Sequence, residues 1–217
     1  MIKYIVFDMD GTLLNTLDDL TLSVNHTLKE NSLPERTEEE IRMMVGNGIP
    51  KLIERAVPKG TAPELEKKCL DEMLVYYKVH ALDNTGPYPG INETLSTLKK
   101  NGVKTSVVTN KAQAAALELC DNFFPGLFDV CIGDNGNMPL KPDPAGVFLA
   151  MKKMGAKADE TVFVGDSDTD INTAVNAKLK SVGCLWGFRD LETLKKAGAV
   201  YIIDSPEKLL DVVKSNS

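Results

Sequence analysis

Asp8 and Asp10 close the short apolar run Tyr4-Ile5-Val6-Phe7 and are followed by Gly11-Thr12. Residues two apart on a strand share a face, so the two carboxylates emerge side by side where the strand stops. Their repulsion favours a divalent cation between them or protonation of one. Gly11 lets the backbone turn sharply without a Cβ penalty. A carboxylate nucleophile, a second carboxylate for proton transfer and a metal suffice for phosphoryl transfer. Taken alone, the pair reads equally as a solvated acidic turn, and the rest of the chain decides.

Three further segments place chemistry at the ends of apolar runs. Ser106-Val107-Val108 leads into Thr109-Asn110-Lys111, which offers a hydroxyl and backbone N–H groups, although such a Thr is by itself more often a helix cap. Lys141 precedes Pro142-Asp143-Pro144, with Asp143 expected as an N-cap and Pro144 as the first helical residue. Lys141 then stands beside a helix N-terminus, which favours an anion, or else is solvated as loop lysines usually are. Thr161-Val162-Phe163-Val164-Gly165 ends in Asp166-Ser167-Asp168-Thr169-Asp170, which reads as a metal site or a capped helix start. Asp168 is the expected solvated or capping member, and Asp166 stands where a metal shared with Asp8 would lie. Asp, Asp, Thr, Lys and Asp thus recur in order at strand carboxyl ends, where open parallel sheets bind ligands.

The elements that must hold these residues are legible from periodicity. Apolar runs at Tyr4 to Phe7, Val103 to Val108, Val130 to Ile132, Val162 to Val164, Ser181 to Cys184 and Tyr201 to Ile203 read as strands. Helix-period segments such as Ile91 to Lys100 and Val147 to Met154 lie between them. This alternation predicts an α/β fold with a Rossmann-like parallel-sheet core. Residues 16–84 break it and carry only helical patterns. Leu17, Leu20, Val24 and Leu28 share the face of a first helix, and Thr37-Glu38-Glu39-Glu40 reads as the capping box of a second. Gly48 to Val57 supplies a third, stopped by Pro58. A fourth starts at Pro63, with Leu65, Cys69, Met73 and Tyr76 expected on its buried side. The expected organisation is therefore a core domain of residues 1–15 and 85–217, with an inserted helical-bundle cap domain of residues 16–84 acting as a lid. Residues 214–217 are expected to fray.

Composition narrows the function classes. With 217 residues and 43% apolar content the chain is that of an ordinary globular protein. Its formal net charge of -6 gives no general attraction to nucleic acid or anionic lipid, so an anionic substrate needs a local cluster of donors. The N-terminus runs straight into a strand without a secretory pattern, and no apolar run reaches membrane-spanning length. Cys69, Cys120, Cys131 and Cys184 form no C-x-x-C pair and lack a His cluster, which argues against zinc. They are expected to be reduced, mostly buried thiols of a cytoplasmic protein.

Taken together, Asp8-x-Asp10-Gly11-Thr12, Thr109, Lys141 and Gly165-Asp166-Ser167-x-x-Asp170 resemble, in order, the four motifs of the haloacid dehalogenase-like (HAD) phosphohydrolase superfamily. The inserted helices resemble that superfamily's helical cap subclass. The resemblance implies that Asp8 is the nucleophile and Asp10 the general acid/base. It also implies Mg2+ held by Asp8, the Asp10 carbonyl and Asp166, with Asp170 behind them, and a phosphoryl group bound by Thr109, Asn110 and Lys141. The implied reaction is hydrolysis of a small phosphorylated metabolite through an aspartyl-phosphate.

Within the superfamily, residues 45–56, Thr109-Asn110-Lys111 and Tyr88-Pro89-Gly90 resemble the phosphoglycolate phosphatase group. Asn47 and Gly48 at a helix start, with Lys51 and Arg55 on that helix, would then receive a substrate carboxylate. The chain departs from the group at Asn15-Thr16, where Asp-Ser is usual, and at Leu140, where a basic residue often stands. A β-phosphoglucomutase-like phosphomutase, a pyrophosphatase or another sugar or nucleotide phosphatase of the superfamily shares the same motifs. A phosphoacceptor signalling domain lacks the second acid, a dehalogenase needs neither Asp10 nor the metal acids, and a silent binding module would have lost a motif acid.

Overall fold

The computed structural model describes residues 1–215. The chain divides into two compact units, one of Met1–Leu14 with the chain from Pro87 onward, the other of Asn15–Gly86. Its strands are β1 (Tyr4–Phe7), β2 (Leu14–Asn15), β3 (Gly86–Pro87), β4 (Lys104–Ala112), β5 (Val130–Asp134), β6 (Thr161–Gly165), β7 (Lys180–Cys184) and β8 (Tyr201–Ile203). Its helices are α1 (Leu17–Glu30), α2 (Glu38–Met44), α3 (Ile49–Ala56), α4 (Pro63–His80), α5 (Ile91–Lys100), α6 (Gln113–Phe123), α7 (Ala145–Met154), α8 (Asp168–Asn176), α9 (Leu191–Ala197) and α10 (Leu209–Ser215). Lys214 therefore stands in a helical turn rather than a frayed end, while residues 216 and 217 of that expectation lie outside the described residues.

In the first unit, six strands form one sheet in the order β5-β4-β1-β6-β7-β8, and every paired neighbour runs parallel. Strand alternation sorts side chains to two faces. Ile5, Phe7, Val107, Val162 and Val164 join one apolar cluster with Ile91, Leu95 and Leu98 of α5 and Ala116 and Leu119 of α6. Val6, Val108, Ile132 and Phe163 join another with Val147, Ala150 and Met154 of α7 and Ala174 of α8. A parallel sheet covered on both faces needs the continuous apolar runs seen in this sequence. The fold is α/β, with the Rossmann-like core that the alternation predicts.

The order of the strands places the chemistry. From β1 the chain builds outward through β4 to β5, then returns across the sheet to β6 on the other side of β1. The strand order reverses between β1 and β6, and such a switch point opens a crevice at the strands' carboxyl ends. Asp8 follows β1 and Asp166 follows β6.

The second unit is the helices α1 to α4. Leu20, Val24 and Leu28 of α1, Ile41 of α2, Leu52 and Ile53 of α3, and Cys69 and Met73 of α4 are buried. The capping box at Thr37 is formed: its hydroxyl accepts from the Glu40 N–H while the Glu40 carboxylate accepts from the Thr37 N–H. On α4, Tyr77 is the buried tyrosine, whereas Tyr76, expected inside, is half-buried and stacks between His26 and His80. Buried Asp19, in the first turn of α1, accepts hydrogen bonds from the backbone N–H groups and side chains of Asn84 and Thr85. Those bonds satisfy a carboxylate that burial would otherwise make costly. Among the described residues no helix is long and apolar enough to cross a membrane.

Candidate active site

Asp8 leaves β1 with its N–H bonded to the Val164 carbonyl at 2.9 Å, which joins the end of β1 to the end of β6. Beyond it the chain turns back so tightly that the Gly11 N–H reaches the Leu14 carbonyl at 2.9 Å. Gly11 makes this possible. Its φ is +85°, and a Cβ there would overlap the Asp166 carboxylate. The turn aims Thr12 at Asp166, whose Oδ1 accepts from the Thr12 hydroxyl at 2.9 Å. The other oxygen, Oδ2, accepts from the Phe188 N–H at 2.7 Å. Asp166 is thus held at both oxygens.

Lys141 is the hub. Its ammonium is buried and lies 2.6 Å from Oδ1 of Asp8 and 2.6 Å from Oδ1 of Asp170. It also sits 5.6 Å from the centre of the Phe163 ring. The backbone of Lys141 is gripped by Asn110, whose Oδ1 accepts from the Lys141 N–H at 2.8 Å and whose Nδ2 donates to the Lys141 carbonyl at 3.1 Å. Both ends of the Asn110 side-chain amide thus position Lys141. The helix after Lys141 also starts one residue later than expected. α7 begins at Ala145, with Pro144 before it, and the Asp143 carboxylate accepts from the Ala145 N–H.

Asp170 is fully buried, and its Oδ2 accepts from the N–H and hydroxyl of Ser167. Ser167, not Asp168, caps α8, and Asp168 is exposed with Arg189 at 3.9 Å. The strand β4 continues to Ala112 instead of stopping at Val108, so Thr109, Asn110 and Lys111 are buried strand residues. Thr109 accepts from the Lys111 N–H through its hydroxyl. The Lys111 ammonium lies 3.0 Å from Oδ1 of Asp10, a partner the sequence reading left unassigned. One structure-bearing ion pair therefore fixes Asp10, and another fixes Asp8.

Electrostatics follow from this crowding. Asp8, Asp166 and Asp170 each offer an oxygen within 4.8 Å of the others'. If all three carboxylates ionise, the single Lys141 ammonium leaves two uncompensated negative charges in a buried site. Burial first, and then the Asp170 charge, raise the Asp8 carboxyl well above its usual range despite Lys141. The same two causes push Asp166 up to about 7, against the hydrogen bonds from Phe188 and Thr12. Burial alone would depress Lys141, but Asp170 and Asp8 outweigh it and hold the ammonium above its ordinary value. Hard oxygen donors with two excess negative charges fit a divalent cation such as Mg2+.

A pH dependence follows for metal-free protein. Asp166 has a folded-state value raised above its unfolded one, so its contribution is fully present below about pH 4 and is lost as pH rises through about 7. The thermal midpoint in EDTA should therefore fall between pH 5 and pH 7.5. Mg2+ should raise it most at pH 7.5, where the ligand is ionised. A midpoint that is flat over this window, with no greater Mg2+ effect at high pH, would contradict the excess of buried negative charge.

Two glycines beyond the recognised turn complete the cradle. A Cβ on Gly165 would overlap Asp170, and one on Gly187 would overlap Asp166 and the Gly11 carbonyl. Trp186, before Gly187, donates from its indole N–H to the Thr12 carbonyl at 2.9 Å. The loop after β7 thus clamps both Asp166 and the first turn. The available signal was a glycine between two aromatics just past a strand end. Gly187→Ala should lower Mg2+ affinity by about tenfold to a hundredfold, as misplaced supporting groups do at metal sites. Calorimetric titration with Mg2+ checks this, and unchanged affinity would show that the contact relaxes without moving Asp166.

The remaining sequence candidates lie in the helical unit. Gly48 precedes α3, with a φ of +82°. Arg55 donates to the Met44 carbonyl at 2.6 Å and to the Asn47 side-chain oxygen at 2.8 Å, so its guanidinium braces the loop before α3. Lys51 is partly exposed and pairs with Glu54 on the same helix.

Comparison with known proteins agrees with this arrangement. A phosphoglycolate phosphatase of Haemophilus influenzae (strain 86-028NP) is 36% identical, over 97% of this chain and 98% of its own. A phosphoglycolate phosphatase of Pseudomonas syringae pv. syringae (strain B728a) is 35% identical, over 96% of this chain and 78% of its own. A crystal structure from Lactobacillus delbrueckii subsp. bulgaricus superposes with a TM-score of 0.93 at 31% identity, covering 97% of this chain and 98% of that one. The family model for haloacid dehalogenase-like hydrolases matches residues 5–184, from β1 to the end of β7. On that match, and on the motif residues that the fold gathers around Lys141, the chain belongs to the haloacid dehalogenase-like hydrolase family.

Proposed function

We propose that this chain is a Mg2+-dependent phosphatase that hydrolyses a small phosphomonoester through an aspartyl-phosphate, with 2-phosphoglycolate as its substrate. The observation that carries the reading is the buried cluster of Asp8, Asp166 and Asp170 around Lys141, with Asp10 held beside it by Lys111. The likeness to two phosphoglycolate phosphatases over nearly the whole chain supports the substrate.

Asp8, Asp166 and the backbone of Asp10 would hold the cation, with Asp170 behind them. When bound, Mg2+ supplies positive charge against the phosphate oxygens. Lys141 supplies a second positive charge in a water-poor site, where it acts strongly. Thr109 offers a hydroxyl to the phosphoryl oxygens. A carboxylate oxygen of Asp8 attacks phosphorus while protonated Asp10 gives its proton to the departing alkoxide. Ionised Asp10 then takes a proton from water as that water attacks the aspartyl-phosphate.

In this proposal the helical unit, residues 16–84, is the cap that reads the end of the substrate remote from phosphorus. Arg55 holds the Gly46-Asn47-Gly48 turn in shape, and Lys51 offers charge to a carboxylate. The test is phosphate release from a panel of 2-phosphoglycolate, hexose phosphates, nucleoside monophosphates, pyrophosphate and an aryl phosphate, with Mg2+ or with EDTA. EDTA should abolish release from every substrate, Mg2+ should restore it, and 2-phosphoglycolate should show the highest kcat/KM. Lys51→Ala should lower that value more than it lowers turnover of the aryl phosphate. Full activity in EDTA would overturn the mechanism, and preference for a hexose phosphate would overturn the substrate alone.

A further inference from the structure

Cys120 and Cys131, eleven residues apart in sequence and unremarkable there, are brought together by the packing of α6 against β5. Their sulfur atoms lie 3.7 Å apart, with the Cys120 thiol donating to the Cys131 sulfur. Both are free thiols. We propose that Cys120 and Cys131 form a thiol pair that peroxide-class oxidants convert reversibly into an intramolecular disulfide.

Three observations support it. First, the gap is small: a disulfide needs about 2.05 Å between sulfurs, a closure that modest side-chain rotation can supply. Second, β5 is an edge strand of the sheet, and Cys131 is half-buried while Cys120 is buried behind it. An oxidant arriving from the edge meets Cys131 first. Third, the two sulfurs differ in character. The hydrogen bond from Cys120 holds the Cys131 thiol below its ordinary value, whereas that same bond and burial push Cys120 up. Cys131 is therefore the better nucleophile of the pair. Cys69 and Cys184 are buried, and burial raises both.

The chemistry balances with a peroxide as oxidant. The Cys131 thiolate attacks a peroxide oxygen, the O–O bond breaks, and hydroxide leaves to be protonated to water. Cys131 is now a sulfenic acid. The Cys120 sulfur attacks the Cys131 sulfur, the S–O bond breaks, and a second water leaves carrying the Cys120 proton. Two thiols lose two electrons in all, and one hydrogen peroxide becomes two waters. A dithiol reductant reverses the step by exchange.

The bridge would also tighten the side of the core that carries Lys111 and Thr109. Gln113, the first residue of α6, already binds β5 through the Cys131 carbonyl at 3.3 Å and the Gly133 N–H at 2.7 Å. A covalent link about two turns further along α6 would hold the helix to β5 at both places.

The test treats native protein with a few equivalents of hydrogen peroxide, blocks the remaining thiols and maps the product. Cleavage before Asp83, Asp121, Asp129 and Asp134 separates the two cysteines into fragments 83–120 and 129–133. These should run as one species, two hydrogens lighter than their sum, and dithiothreitol should separate them. Cys69 and Cys184 should stay reduced. Cys120→Ser should accumulate a dimedone-reactive sulfenic acid at Cys131, and circular dichroism verifies that the variant is folded. Should it fail to fold, the wild-type map decides alone. Oxidation of Cys69 or Cys184 as fast as Cys131, a bridge between molecules, or an unbridged wild type in which Cys131 is over-oxidised would each overturn the proposal.

Discussion

Asp8→Asn should remove turnover almost completely, by at least about 10^4-fold, as deletion of a nucleophile does in a covalent mechanism. The amide lacks the anionic oxygen that attacks phosphorus in the proposed mechanism, and nothing else in the cluster replaces it. Asp166 is held at both oxygens by Thr12 and Phe188, and Asp170 is held by Ser167 and Lys141. The fold should survive. Asp8 is a buried carboxylate raised well above its usual range, so loss of its charge relieves repulsion within the cluster. The thermal midpoint of the metal-free variant should equal or exceed that of the wild type, which separates lost chemistry from lost structure. A variant with near-normal turnover would remove Asp8 as nucleophile, and an unfolded one would contradict the charge argument.

Asp10→Asn should lower kcat by about a hundredfold to ten-thousandfold, the range expected when a positioned acid/base is lost. In the proposed mechanism both half-reactions depend on Asp10: protonation of the leaving oxygen, then activation of water. A substrate whose leaving group needs no proton, such as a nitrophenyl phosphate, should regain the first half-reaction and stall at the second. The phosphoenzyme should then accumulate. Lys111, 3.0 Å from the Asp10 carboxylate, keeps its place beside an amide, so the variant tests proton transfer more than geometry. Equal losses on activated and unactivated esters would contradict the acid role.

Much of this site was legible because its signals are local. Asp8 and Asp166 each follow the end of an apolar run, and the acidic cluster holds both. The parts that were not legible depend on packing between distant segments. Apolar patterning ended β4 at Val108, but Thr109 to Lys111 are polar residues buried in the same strand, with Asn110 bonded to Lys141 and Lys111 paired with Asp10. That the Asn110 side chain also grips the backbone of Lys141 was not legible, because the two residues are 31 apart in the chain. Spacings of three and four both satisfy a helical face, so Tyr76 and Tyr77 were indistinguishable until α1 packed against α4. Gly187 and the cysteine pair became meaningful only once β7, α6 and β5 had been placed in space. In the helical unit, the signal for Arg55 was its charge, whereas its role is to brace the loop from Met44 to Asn47.

The most direct test of the account is chemical trapping of the covalent intermediate. Asp10→Asn protein with Mg2+ and a nitrophenyl phosphate, whose leaving group needs no proton, is quenched in acid within the first turnover and treated with hydroxylamine, which converts an acyl phosphate to a hydroxamate. The account predicts a hydroxamate at Asp8, absent from the double variant that also carries Asp8→Asn. Release of phosphate without an acyl phosphate at any time, or a hydroxamate on another carboxylate, would contradict it.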